Sequence, residues 1–266
     1  MNTLFSSILF LDSGLRSGEE NMALDGRLLD AFAAGRFARS FGPQCALLRV
    51  YGWQPHAITV GYSQDTAVFD LQRCRDEGVD LVRRPTGGRA VLHADEFTYS
   101  FLCESEASSP VLYRLVHAII REALAEFGVV AHFSRRDAGG GAVSGRGASV
   151  SCFAASARHE LQVDGRKLVG SAQRRHGRVL LQHGSLPLSG RHRDLGRYLV
   201  GAGGAGEESM LAGELQRRAA SLEEVTGSVP GHAALAAAFR RAAGVVCGAS
   251  VPEIGLGELE RLCCSG

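Results

Sequence analysis

Lysine is almost missing from this chain of 266 residues. Lysine and arginine together number 29, and Lys167 is the single lysine among them. The two side chains are not interchangeable, because lysine carries a compact primary ammonium and arginine a planar, permanently charged guanidinium. Two interpretations follow: Lys167 occupies a position that requires an ammonium, or it is a surface lysine left over from a bias toward arginine.

The net charge is also small, and the apolar runs are short. The formal net charge is +1, so the chain lacks the basic surplus of a nucleic-acid-binding surface, and we expect no nucleic-acid partner. No apolar run reaches the roughly 18–20 residues of a membrane span, so we expect no membrane insertion. The apolar patch at residues 4–11 has no basic residue before it, which favours a first strand over a signal peptide.

Paired cysteines are lacking as well. The seven cysteines are irregularly spaced and form no Cys-x-x-Cys pair, so the sequence predicts neither a zinc site nor a redox motif, and we expect no metal. Cys45, Cys74, Cys103 and Cys247 stand among apolar residues and are interpreted as small core residues. This usage favours a reducing compartment, and we expect a cytoplasmic protein.

The mixture of hairpin strands and separated helices predicts an α+β fold with a largely antiparallel sheet and packed helices. We predict a first domain over residues 1–226 and a C-terminal helical extension over 227–266 that packs on it. The predicted strands cover 3–12, 46–51, 57–61, 79–83, 90–92, 97–103, 159–163, 167–173 and 178–186. The predicted helices cover 19–32, 70–77, 110–127, 232–243 and 258–263, with a polar helical stretch at 192–226.

A glycine loop at residues 83–93 is the first candidate for function. Gly87 and Gly88 allow the backbone to approach a ligand closely and to direct N–H groups at an anion or a carbonyl. Arg83 and Arg84 precede the pair and His93 follows it. A Gly-Gly pair is often only a turn, so the loop alone leaves both interpretations open.

Cys152 is the second candidate, because it directly follows a Gly- and Ser-rich stretch at residues 137–151. We interpret this stretch as a mobile loop that orders when substrate binds. A thiol attacks as the thiolate, and free cysteine has a pKa of about 8.5, so a nearby cation is needed at neutral pH. The alternative is a half-buried cysteine without function.

A hairpin supplies the third set of candidates. Asp164-Gly165 is the strongest short turn signal in the chain, and it places Lys167 early on a returning strand. If residues 167–173 form one strand, Lys167, Ser171 and Gln173 share a face, because side chains alternate with a period of two. The alternative is a surface hairpin with polar residues outward. His183 on the next strand is a further candidate for hydrogen bonding or proton transfer, although a lone strand histidine is more often structural.

In combination and order, these segments resemble the family of biotin and lipoate protein ligases and octanoyltransferases. The resemblance rests on EENMALD, RRPTGGRAVLH, FTYSF, the Cys152-Phe153 pair, ELQVDGRKLVGSAQRR and LQHGSLPL. The sequence is most similar to the cysteine-dependent octanoyltransferases that resemble lipoate ligases. This resemblance implies an α+β domain with a mixed, largely antiparallel sheet around an acyl-binding tunnel. It also implies a Cys152 that forms an acyl-thioester and a Lys167 that lowers the pKa of its thiol.

The resemblance also implies a reaction and its partners. Octanoyl would pass from octanoyl-acyl carrier protein to a lysine of a lipoyl domain or of the glycine-cleavage carrier protein, without a cofactor. Arg83 and Arg84 would position the loop or meet the carrier surface, and the remaining residues predicted to bind substrate are Gly87, Gly88, His93, Gly170, Ser171, Gln173 and His183. Three alternatives stay open: a lipoate ligase that uses ATP and Mg²⁺, an amidotransferase between lipoyl-type proteins, and a carrier-binding protein that keeps the fold without catalysis. Arg89 stands where lipoate ligases commonly carry a third glycine, which favours the transferase.

Overall fold

The computed structural model describes residues 4–134, 160–200 and 205–264, and at residues 205–209 it describes the backbone alone. Cys152 and the predicted mobile loop therefore lie outside the described residues. In chain order, the strands are β1 (Ser7–Arg16), β2 (Cys45–Trp53), β3 (Ala57–Val60), β4 (Asp80–Arg83), β5 (Val91–His93), β6 (Glu96–Glu104), β7 (His132–Phe133), β8 (Leu161–Val163), β9 (Arg166–Lys167), β10 (Gly170–His176) and β11 (Val179–Pro187). The helices are α1 (Gly18–Ala33), α2 (Arg36–Phe41), α3 (Leu71–Asp76), α4 (Ser109–Ala125), a 3-10 helix (Gly190–Tyr198), α5 (Ala205–Arg218), α6 (Leu222–Thr226), α7 (His232–Cys247) and α8 (Leu256–Cys264).

The main sheet has five strands in the order β1-β2-β6-β11-β10. Strands β1 and β2 run parallel, and the other three pairs are antiparallel. Two sheets of three strands, β4-β3-β5 and β7-β8-β9, complete the described part of the fold. The prediction of an α+β fold with a mixed, largely antiparallel sheet is confirmed.

Each face of the main sheet is covered by helices. Phe97, Tyr99 and Phe101 of β6 belong to a core cluster that contains apolar residues of α4 and α7. The second cluster joins the opposite face to apolar residues of α1, α2 and α8. The C-terminal helices thus pack on the main sheet, while the domain boundary at residue 226 stays a prediction. Among the helices of the described ranges, none is both long and apolar enough to cross a membrane.

The predicted hairpin is present at the expected turn. Asp164 and Gly165 have φ angles of 50° and 74°, the left-handed conformation that a two-residue turn of this kind needs at both positions. Strands β8 and β9 pair across the turn, with Gln162 opposite Lys167.

The prediction of one continuous strand over residues 167–173 is wrong. Strand β9 ends at Lys167 in the β7-β8-β9 sheet, and β10 begins at Gly170 in the main sheet. Between them, Leu168 and Val169 are both fully buried, which breaks the alternation that a regular half-exposed strand requires. Lys167 therefore lies in a different sheet from Ser171 and Gln173, which remain together on β10.

Candidate active site

A small, partly open cavity lies where the main sheet meets the β4-β3-β5 sheet. Five of the predicted binding residues contribute to its wall although they are far apart in sequence: Arg84, His93, Gly170, Ser171 and His183. The other residues of the wall are Met22, Tyr51, Trp53, Thr59, Val91, Thr98, Ala172, Gly184 and Ser185. The remaining described candidates, Arg83, Gly87, Gly88, Lys167 and Gln173, lie outside this lining.

The glycine loop is held from inside by Arg84. This side chain is 4% exposed, and its Nη2 donates to the carbonyl oxygens of Gly87 and Arg89, each at 2.7 Å. A buried guanidinium must place its donors on protein acceptors, and here the acceptors are loop carbonyls. Of the two roles predicted for Arg84, these contacts fit the positioning of the loop.

Arg83 is exposed but is also committed to the backbone. Its Nη1 donates to the carbonyl oxygens of Gly61, Tyr62 and Gln64 at 2.8, 2.8 and 2.9 Å. These contacts tie β4 to the segment that follows β3. Arg83 thus positions the loop region, which is one of its two predicted roles.

Close contacts explain a glycine in the loop and a glycine in the segment that follows β3. A Cβ on Gly61 would lie 1.9 Å from the carbonyl oxygen of Gly88. Gly88 itself has a φ of 93°, and a Cβ there would lie 2.8 Å from Nη2 of Arg84. Both positions require glycine, because a side chain at Gly61 would collide with the loop backbone and the positive φ at Gly88 disfavours any residue with a Cβ.

His183 joins the loop to the main sheet. Its Nε2 lies 2.6 Å from Oγ1 of Thr86, and its Nδ1 lies 3.2 Å from Oδ2 of Asp25. Burial lowers the pKa of His183, and the hydrogen bond from its ring to Asp25 offsets this only in part. The neutral ring therefore donates from Nδ1 to the carboxylate and accepts the Thr86 hydroxyl at Nε2. This geometry supports the structural interpretation of His183.

Asp25 is the centre of a buried polar cluster that the sequence did not predict. Arg49 Nη1 donates to Oδ1 at 2.8 Å, and both side chains are fully buried. Ser100 donates to the same oxygen at 3.0 Å, and Arg49 also bonds Asn21 of α1. Burial raises the pKa of Asp25, but the charge of Arg49 and the contact with His183 outweigh burial and hold it below its ordinary value.

His93 belongs to a second buried cluster. Its Nε2 lies 2.8 Å from Oγ1 of Thr59, its Nδ1 lies 2.6 Å from Oε1 of Glu96, and its ring stacks on Trp53. Glu96 also accepts from the hydroxyls of Thr98 and Ser185. Burial raises the pKa of Glu96, and the contacts with His93 reverse this, so that it lies below the ordinary value. The polar groups on this side of the cavity are thus bonded to each other.

Ser171 and Gln173 take part in a third chain of hydrogen bonds. Ser171 Oγ lies 2.7 Å from the Tyr99 hydroxyl and 3.1 Å from Nε2 of His117 on α4. Gln173 Nε2 donates to Oε1 of Gln182 at 2.8 Å, and Gln182 donates to Tyr99 at 2.9 Å. Of this chain, Ser171 is the member on the cavity wall.

Lys167 is not the exposed lysine of the alternative interpretation. It is 4% exposed, and its Nζ lies 2.6 Å from Oε1 of Glu160, which is 2% exposed. Strand pairing explains the approach, because β8 begins at Leu161 directly after Glu160 and lies beside β9. The single lysine of the chain is thus half of a buried ion pair.

Burial makes four of the described cysteines poorer nucleophiles than an activated thiol. Burial raises the pKa of the thiols of Cys45, Cys103 and Cys247 to about 11, 12 and 11, and it also raises the pKa of Cys74. The prediction that these four are core residues is confirmed for Cys45, Cys74 and Cys103, which are buried, while Cys247 is half-buried. Within the described ranges, no group of three or more His, Cys, Asp or Glu side chains is placed to hold a metal ion.

Comparison with known proteins identifies the family of this chain. A sequence model of the family described as the lipoyl protein ligase A/B catalytic domain matches residues 17–243. Octanoyltransferase LipM of Symbiobacterium thermophilum is 37% identical over 243 residues, which cover 88% of this chain and 86% of the relative. Octanoyltransferase LipM of an Exiguobacterium species is 42% identical over 185 residues, which cover 65% of this chain and 63% of the relative.

Solved structures show the same fold at lower identity. A bi-partite lipoate protein ligase from Thermoplasma acidophilum, studied with its E2 lipoyl domain, superposes with a TM-score of 0.70 at 18% identity, over 97% of this chain and 90% of that one. A lipoate-protein ligase A bound with ATP superposes with a TM-score of 0.65 at 17% identity, over 97% and 92%. Since the family match spans most of the sequence, the chain belongs to the family of lipoyl protein ligase A/B catalytic domains.

Proposed function

We propose that this chain is an octanoyltransferase of protein lipoylation that works through an acyl-thioester on Cys152. The donor is octanoyl-acyl carrier protein, and the acceptor is a lysine of a lipoyl domain or of the glycine-cleavage carrier protein. The observation that carries the proposal is the 37% identity to an octanoyltransferase over 88% of this chain. A lipoate ligase that uses ATP and an amidotransferase are the rival functions.

The cavity supports an acyl ligand. Most of its polar side chains already have protein partners, as in the pairs Thr59–His93 and Thr86–His183. A polar ligand would have to replace these bonds, whereas a hydrocarbon chain gains from apolar contact alone. Met22, Trp53 and Val91 offer such contact on the wall.

The chemistry needs two transfers and no ATP. The Cys152 thiolate attacks the octanoyl carbonyl, a C–S bond to the enzyme forms, and the carrier thiolate leaves and takes a proton. The acceptor amine then attacks the enzyme thioester, a C–N bond forms, Cys152 leaves as its thiolate and a proton is released. Exchanging one thioester for another is close to neutral in energy, so no cofactor is required. Lys167 stabilises the thiolate and the charge that develops on the carbonyl oxygen.

Turnover without nucleotide tests this function. We expect wild-type protein, octanoyl-acyl carrier protein and a lipoyl domain to yield the octanoylated domain without ATP or Mg²⁺, as followed by intact-mass spectrometry. Cys152→Ser should lose at least about 10²-fold in rate, because a serine hydroxyl at this position lacks the acidity of a thiol. Cys264→Ser, which alters an exposed cysteine of α8, is the matched control and should retain the wild-type rate.

The rivals predict other results. An absolute requirement for ATP, or full activity in Cys152→Ser, would contradict the proposal and favour the ligase. Octanoyl transfer from one lipoyl-type protein to another at a higher rate than from the carrier protein would favour the amidotransferase.

A further inference from the structure

The hydrogen-bond chain at Ser171 has a fixed direction. At one end, His117 Nδ1 lies 2.9 Å from the carbonyl oxygen of Tyr113. A carbonyl oxygen only accepts, so Nδ1 carries the proton, and in the neutral ring Nε2 is then the acceptor. The Ser171 hydroxyl, 3.1 Å from Nε2, therefore donates to His117.

The other end of the chain agrees with this direction. Gln173 Nε2 donates to the carbonyl oxygen of Ser109 and to Gln182 Oε1, at 3.2 and 2.8 Å. Gln182 then donates to the Tyr99 hydroxyl at 2.9 Å. Tyr99 in turn donates to Ser171 Oγ at 2.7 Å. Every donor points the same way, from Gln173 toward His117.

The direction determines what Ser171 can offer a substrate. Its proton is directed at His117, so toward the cavity Oγ presents lone-pair density and not a donor. Gly184 leaves space at this atom, because a Cβ on Gly184 would lie 2.6 Å from Ser171 Oγ. A hydroxyl that donates to a neutral histidine can take a proton from a bound group while it passes its own proton to the imidazole.

We infer that Ser171 and His117 take up the proton released when the acceptor lysine forms its amide. The inference rests on the proposed function. As the C–N bond forms and the C–S bond to Cys152 breaks, the nitrogen loses a proton to Ser171 Oγ, whose own proton moves to Nε2 of His117. His117 is fully buried, so after the product leaves its proton returns through Ser171 Oγ to the cavity and the solvent. Ser171 is the catalytic residue of the step, and His117, which acts through it, is a positioning residue.

The need for such a base follows from the acceptor. A lysine amine has an ordinary pKa of about 10.4 and is protonated at neutral pH, and the attacking nitrogen must shed a further proton to become an amide. The first transfer has no such requirement, since a thiolate attacks and a thiolate leaves. Ser171 and His117 are thus expected to act in the second transfer and not in the first.

Comparing two nucleophiles distinguishes a general base from a residue with a structural role alone. The acyl-enzyme is formed with octanoyl-acyl carrier protein, and its discharge is timed by quenched mass spectrometry with either a lipoyl domain or hydroxylamine. Hydroxylamine is largely unprotonated at neutral pH and small enough to lose its proton to water. For Ser171→Ala and His117→Gln we expect discharge to the lipoyl domain to fall by about 10²–10⁴-fold, the usual value of a general base. Discharge to hydroxylamine should stay at the wild-type rate.

Tyr99→Phe is the matched comparison. It removes a hydroxyl from the same chain but leaves Ser171 in contact with His117, so transfer to the lipoyl domain should be faster than in Ser171→Ala. Equal rates in these two variants, or equal loss toward both nucleophiles, would contradict the inference and leave the proposed function standing. Absence of an acyl-enzyme in the wild type would contradict both.

Discussion

Replacement of Asp25 by alanine is expected to lower the free energy of unfolding by about 3–5 kcal/mol. Asp25 and Arg49 are both fully buried, with Nη1 and Oδ1 2.8 Å apart. Removing the carboxylate leaves a guanidinium without its counter-charge in the core, and His183 also loses its acceptor at Nδ1. Urea unfolding followed by tryptophan fluorescence, which reports the single Trp53, measures the change.

Two controls separate the buried charge from the loss of a contact. Asp25→Leu combined with Arg49→Met removes both charges, so the double variant should be more stable than Asp25→Ala. Glu106→Ala breaks a contact with Arg178 in which both side chains are exposed, and it should change the free energy of unfolding by less than about 1 kcal/mol. A similar loss of unfolding free energy in Asp25→Ala, in the double variant and in Glu106→Ala would contradict the conclusion that an unpaired buried charge causes the loss.

Asp25 and Glu96, the carboxylates of the two buried clusters, set the response to acid. The pKa of Asp25 and that of Glu96 are lower in the folded chain than their ordinary values of 3.8 and 4.5. A carboxyl with a lowered folded pKa contributes stability that is present above its unfolded pKa and is lost as pH falls through the folded pKa. Stability should therefore decline below about pH 4.5, and the slope should be shallower in Asp25→Ala.

Replacement of Lys167 by methionine is expected to have two separable effects. It leaves Glu160 buried without its cation, which should lower the free energy of unfolding by about 3–5 kcal/mol. Within the described residues, Glu160 Oε2 has no hydrogen-bond partner, so little else compensates the charge. Under the proposed mechanism the variant also fails to form the acyl-thioester, because the cation that stabilises the thiolate is gone.

A double variant distinguishes stability from chemistry. Lys167→Met with Glu160→Leu removes both charges and should recover most of the free energy of unfolding, as urea unfolding would show. Its rate of acylation by octanoyl-acyl carrier protein should remain as low as that of Lys167→Met. Recovery of acylation in the double variant would mean that Lys167 serves the fold alone.

The local sequence pattern was sufficient to predict most helices and strands and several of the residues near the cavity. The 3.6-residue period of α4 and the Asp164-Gly165 turn both have local causes, and both are found in the structure. The prediction failed at Leu168 and Val169, where the chain passes from one sheet to another. A change of sheet depends on contacts with distant strands, which a period of two does not report.

The missed residues of the site are polar groups inside the core. Asn21 and Asp25 stand four residues apart on the face of α1 that also carries Met22, Leu28 and Leu29, and that position in an apolar stripe was an available signal of burial. Their partners could not be found in the same way. Arg49 lies 24 residues from Asp25, and His183 lies 158 residues from it.

Glu160 and His117 were missed for the same reason. Each becomes significant only through a side chain from another element, Lys167 for Glu160 and Ser171 for His117. The singular lysine was visible in composition, whereas its counter-charge was one acidic residue among 28.

Peptide mapping of the acylated protein tests the central claim most directly. Wild-type protein is mixed with octanoyl-acyl carrier protein without ATP, quenched in acid, digested and searched for octanoylated peptides. We predict a single thioester on the peptide that contains Cys152, removed by hydroxylamine and missing from Cys152→Ser. An octanoyl group on another residue, such as the exposed Cys264, or unmodified protein after full turnover, would contradict the account.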